Sequence, residues 1–68
     1  MHYAIETEQE TDGRWIVAVP ALPGVLAYGS AQVEAIARAE ALALRLLADR
    51  LEHNELADES FSVVFAAA

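Results

Sequence analysis

The sequence predicts an α+β fold with the order β-β-β-α-β: a four-stranded mixed sheet with one helix packed on one face. Two observations carry this. Three short stretches with a period of two, separated by Gly- and Pro-containing turns, fill residues 2–29, and from Ala31 to Ala68 neither Gly nor Pro occurs. The latter stretch opens with a long run of helical period.

In residues 2–8, Tyr3, Ile5 and Thr7 alternate with His2, Ala4, Glu6 and Glu8, the pattern of a half-buried strand. Asp12-Gly13 marks a turn, because Gly accepts positive φ and Asp tolerates it. Arg14–Val19 forms the second strand, and the two make a hairpin. Pro20 ends the ladder by removing a donor, and Pro23-Gly24 suits the central pair of a type II turn. Val25–Tyr28 is a short third strand, stopped by Gly29. Ser30 is positioned to cap a helix whose apolar pattern starts at Val33 and runs to about Glu52 or His53, with Asn54 as its terminator. Residues 61–65 form the last strand. A helical crossover of this length brings it parallel to the first strand, with right-handed connection. One domain spans residues 1–68, without repeat or linker.

Both faces of the sheet receive apolar groups. Trp15, Val17 and Val19 point to one side, and Ile16 and Ala18 to the other. On the helix, Ala35, Ile36, Ala39, Leu42, Ala43, Leu46 and Leu47 form one stripe at 100° per residue, while Val33, Ala37, Leu44, Ala48 and Leu51 form a second beside it. That arc is wider than a one-sided surface helix needs. The first stripe suits close approach to the sheet. The second is expected to meet another chain, which makes Val33, Leu44 and Leu51 candidate oligomer-interface residues and a dimer the first expectation.

Charge and composition exclude several classes. Four basic residues, all Arg, face eleven acidic ones, a net charge of −7. Nucleic-acid binders need a basic patch to neutralise phosphates, so direct binding of nucleic acid is not expected. No apolar run reaches transmembrane length, the mean hydropathy is only +0.27, and the first residues lack a basic and then apolar leader. A cytoplasmic protein, not associated with membrane, is the expectation. Cysteine is absent and the two histidines are too few for a structural zinc site, so neither metal nor cofactor is expected.

No catalytic group stands out. Ser30 lies outside any Gly-x-Ser-x-Gly elbow. His53, at a helix C-terminus, is a favourable position for a cation. Glu40 falls among apolar helix neighbours and is expected to reach for the rim. The run Glu6, Glu8, Glu10, Asp12 lacks the spacing of a calcium loop. It reads either as a solvated hairpin or as an acidic patch facing a partner. Trp15 is a candidate apolar anchor for that partner, or simply part of the core.

The stretch Trp15-Ile16-Val17-Ala18-Val19-Pro20-Ala21-Leu22-Pro23-Gly24, followed by Gly29 and Glu34-Ala35, resembles the HicB-like antitoxin family. The resemblance covers Tyr3 to about Leu47, and Pro-x-Leu-Pro-Gly with its flanks is its most specific part. It departs at Ala21, where the family usually has Asp, at Val25, often Cys, and at the helix opening, where the Thr and Glu of a capping box are missing. The resemblance implies a partial ribonuclease H-like sheet. It also implies neutralisation of a HicA-like toxin, a small basic ribonuclease that cleaves messenger RNA, by covering its active surface. The C-terminal DNA-binding segment that many members carry has no counterpart in these residues. Ribonuclease H chemistry needs several carboxylates around two metal ions. Glu6, Glu34 and Glu40 are candidates, but the last strand offers only Ser62, so no enzyme is expected. The alternative function is an orphan homo-oligomeric module for a small ligand or another protein.

Overall fold

A computed structural model describes residues 1–55 and 62–68. The chain runs β1 (His2–Gln9), β2 (Trp15–Ala18), β3 (Leu26–Gly29), α1 (Gln32–Glu52) and β4 (Val64–Ala67). The four-stranded sheet has the order β3-β2-β1-β4. β1 and β2 are antiparallel, as are β2 and β3, and β4 joins β1 in parallel. The α+β architecture and strand order expected from the sequence are therefore present. β4 begins three residues later than the expected 61–65, because its pairing starts with His2 opposite Val64. Phe61, assigned above to that strand, lies outside the described residues.

The first turn, at the expected Asp12-Gly13, is a three-residue loop. The Gly13 N–H donates to the Glu10 carbonyl at 3.0 Å, Glu10 N–H donates to the Arg14 carbonyl at 2.7 Å, and Gly13 has φ +92°. Gly takes the left-handed position that ends such a loop, and Asp12 keeps an ordinary backbone. The second connection holds two turns in succession. Leu22 N–H reaches the Val19 carbonyl at 2.9 Å, and Val25 N–H reaches the Leu22 carbonyl at 3.1 Å across Pro23-Gly24, with Gly24 at φ +85°. The second is the type II turn expected there. Its purpose in the fold is Leu22, which the double turn drives into the core to 2% exposure.

Helix capping departs from expectation. The N-cap is Ala31, which offers no side-chain acceptor, so Ser30 does not cap. Instead Glu34 Oε1 accepts the Ser30 N–H at 3.1 Å. One half of a capping box survives, displaced outward by one residue. At the other end Asn54 adopts φ +56°, its N–H meets the Leu51 carbonyl at 3.2 Å, and Glu55 N–H meets the Arg50 carbonyl at 2.8 Å. This is a Schellman stop with Asn in the place usually held by Gly.

α1 lies mainly over β3 and β2, and touches β1 less. Ala35, Ala39, Ala43 and Leu47 are fully buried against Ile5, Val17, Val19, Leu22, Val25 and Ala27. Leu42, assigned above to the inward stripe, is 37% exposed, because it lies at the edge of the contact beside β3. The radius of gyration is 12.9 Å, against about 11 Å for a compact domain of this length. A helix and a sheet in two thin layers give an elongated body of 43 × 19 × 16 Å.

Gly29 sets the distance between layers. A Cβ there would lie 2.7 Å from the Ala35 backbone nitrogen, and a backbone atom cannot yield as a flexible side chain does. Gly29→Ala is expected to destabilise the fold by about 1–3 kcal/mol through overpacking. Urea unfolding of the variant measures this. An unchanged midpoint would show that α1 is not held so close to β3.

Candidate functional site

Residues paired across strands share a face of the sheet. Tyr3, Ile5, Trp15, Val17, Ala27, Gly29 and Phe65 therefore lie on the helix side. The other face presents His2, Ala4, Glu6 and Glu8 of β1, Ile16 and Ala18 of β2, Leu26 and Tyr28 of β3, and Val64 and Ala66 of β4. No described element covers that face. Leu26, Tyr28 and Val64 are 43–46% exposed there.

The structure separates the candidate partner residues. Glu6 and Glu8 stand on the uncovered face, and Glu10 opens the turn at its end. Trp15 points to the opposite side, half-buried and packed against the core. It shares its row with Gln9 and Gly29, so it belongs to the helix layer rather than to the acidic surface. Asp12 is occupied locally: Arg14 N–H donates to its Oδ1 at 3.1 Å and Arg14 Nε to its Oδ2 at 2.8 Å. The backbone N–H of Arg14 and then its guanidinium hold the Asp12 carboxyl below the ordinary value of 3.8. The same guanidinium lies 5.5 Å from the centre of the Tyr28 ring, tying the turn to β3 through a cation–π contact. Among the described residues, Glu6, Glu8 and Glu10 form no ion pair.

A depression of about 480 Å³ lies on this face, with Glu6, Glu8, Ile16, Ala18, Leu26 and Ala68 among its lining residues. Its charged side chains are both carboxylates. The apolar half of this site is readable in the alternation of Leu26 and Tyr28 against Val25, Ala27 and Gly29. Only the pairing register joins it to Ile16 and Ala18.

The second helix stripe is exposed. Val33 is 79% exposed, Leu44 45% and Leu51 43%. The carboxylates weighed for nuclease chemistry are not brought together: Glu6 is on the uncovered face, and Glu34 and Glu40 are on α1 across the sheet. Glu34 is engaged with Ser30 N–H and, at 3.5 Å, with Arg38. Asp49, His53 and Glu55 approach within 4.8 Å, all exposed. His53 Nδ1 lies 2.7 Å from the Asp49 carbonyl oxygen, so this cluster is accounted for by the helix stop. No described helix is long and apolar enough to cross a membrane.

Comparison with protein-family models, with curated proteins and with solved structures finds no match to this chain.

The Asp12–Arg14 contact has a pH signature. A carboxyl held below its ordinary value contributes stability that is complete above that value and is lost as pH falls through the folded one. Asp12→Asn should therefore flatten the fall in urea midpoint below about pH 5 relative to the unmodified chain, with the two curves separated most at neutral pH. Parallel curves would remove the coupling.

Proposed function

We propose that this chain is a protein-binding module of the antitoxin kind, which captures a basic partner and covers its active surface. The observation that carries the reading is the apolar face that no described element covers, bordered by Glu6, Glu8 and Glu10, which form no ion pair among the described residues. An apolar sheet face left open is an interaction surface by its chemistry, and a one-signed border selects the sign of the partner. The resemblance to HicB-like antitoxins names that partner as a HicA-like ribonuclease. The β-β-β-α-β order is the one that resemblance implies, and it supports the reading without deciding it. Capture masks the ribonuclease by steric cover and by competing with RNA for its cationic surface, and asks no catalysis of this chain.

Rim charges act mainly on the encounter rate. Replacing Glu6, Glu8 and Glu10 together with Gln should slow association with a HicA-like ribonuclease, reduce its dependence on salt and leave the melting temperature nearly unchanged. Stopped-flow mixing at several ionic strengths measures this, with messenger-RNA cleavage as the functional readout. Association that is unchanged by the triple replacement would leave the carboxylates as mere solvated charge.

A second reading, self-association, is favoured by the exposure of Val33, Leu44 and Leu51 on one helix stripe. It is compatible with the first, since that stripe lies on α1 and the acidic face lies across the sheet. Light scattering at micromolar concentration should give twice the 7.3 kDa chain mass, and Leu44→Glu should return it to a monomer without unfolding. A monomer before any substitution ends this reading.

A further inference from the structure

We infer that the uncovered sheet face is the seat for an amphipathic α-helix of the partner, with aliphatic side chains beneath and Lys or Arg along one flank. This rests on the binding-module reading and adds the place and the shape of the docking element.

The register sets the open-face residues on a grid. Tyr28, Ile16 and Glu8 form one row, Leu26, Ala18 and Glu6 the next, then Ala4 and Ala66, and last His2 and Val64. Bulky groups gather at two opposite corners: Ile16, Leu26 and Tyr28 at one, His2 and Val64 at the other. Between them the floor is alanine, through Ala18, Ala4 and Ala66. Three strand spacings across and four residues along place Leu26 and Val64 about 20 Å apart. That is the length of about 13 helical residues.

The register thus leaves small side chains along the diagonal between two bulkier ends, and methyl groups let a rod settle close to the backbone. α1 uses the same economy on the other face, where Ala35, Ala39 and Ala43 are fully buried against the sheet. A strand is the poorer occupant, since it requires a sheet edge and runs along the strands, whereas this floor runs across them.

Charge decides the flank and the kind of partner. Glu6 and Glu8 stand along β1 on one side of the diagonal, continued by Glu10, and none is ion-paired among the described residues. On the opposite side of the diagonal the paired open-face residue is His2, which is no carboxylate. One basic flank thus satisfies the site. A second copy of the chain does not supply it. The exposed apolar stripe of α1 has Glu34, Glu40 and Glu52 as its nearest charged neighbours around the helix, which would bring carboxylates against carboxylates.

The test is an NMR titration of the whole chain with a helical Leu/Lys peptide of about 14 residues. Two comparison peptides are used: one with Glu in place of Lys, and one with strict Leu/Lys alternation that favours a strand. The expected result is salt-sensitive binding of the helical Leu/Lys peptide alone, with shifts concentrated at Ala4, Ala18, Leu26 and Ala66. Leu26→Glu and Ala4→Arg both alter exposed residues, so the variants should fold, as their melting curves will verify. Each should weaken binding by about tenfold or more, while Leu44→Glu should not. Shifts confined to Val33, Leu44 and Leu51, equal binding of the Glu peptide, or better binding of the alternating peptide would overturn the inference. If a HicA-like ribonuclease binds Leu26→Glu and Ala4→Arg as well as the unmodified chain, the seat lies elsewhere and the module reading stands. If the unmodified chain binds no basic ribonuclease, that reading fails independently of the peptide.

Discussion

The close approach of α1 to β3 governs the rest of the molecule. Gly29 allows the start of the helix to sit where any Cβ would strike the Ala35 nitrogen. From there Ala35, Ala39 and Ala43 continue the contact for two further turns, followed by Leu47, all fully buried. Small residues gain little per side chain from burial, about 25 cal/mol for each Å² of apolar surface. What they provide is proximity. With the backbones near, most of the larger side chains that fill the core come from the sheet and its loop, Ile5, Val17, Val19, Leu22 and Val25, with Leu47 added by the helix.

Proximity on one side leaves a deficit on the other. A single helix centred over β3 and β2 covers one face only, and even there Tyr3, Trp15, Val63 and Phe65 are only partly buried. Among the described residues no third layer covers the second face, and its apolar groups, above all Leu26, Tyr28 and Val64, remain exposed. For a domain whose total stability is on the order of 3–10 kcal/mol, the same scarcity makes each well-buried group matter. Leu22 shows this, since two consecutive turns are spent placing one side chain.

Element types and their order were legible in the sequence, because period and punctuation are local properties. The alternation Tyr3-Ile5-Thr7, the Pro23-Gly24 turn and the Asn54 stop each carry their own geometry. Less legible was what depends on distant pairing. The last strand is displaced because its pairing with His2–Ile5, not its composition, decides which residues are strand. Ser30 has the side chain of a cap, but the strand exit puts Ala31 at that place and turns Glu34 back to Ser30 N–H. Trp15 was open between core and partner surface until the register placed it opposite Gln9 and Gly29 on the helix side. The candidate site was half-visible: its carboxylates stand in one run of sequence, whereas its apolar floor is assembled from all four strands.

Two of the four cations are engaged with acids away from β1. Arg14 is committed to Asp12 and to the Tyr28 ring, and Arg38 to Glu34 and the Tyr28 carbonyl at 2.9 Å. Both therefore serve β3: one ties it to the hairpin, the other to the helix and to a backbone group at the free edge of the sheet. Such exposed pairs add little stability individually, but they neutralise charge where they stand. Asp12 and Glu34 are thereby removed from the surface available to a partner, and the carboxylates that remain uncompensated nearest the apolar face are Glu6, Glu8 and Glu10. The hairpin thus divides its acids by position: the one at the loop closes the turn, and those along β1 set the sign of what can approach the sheet.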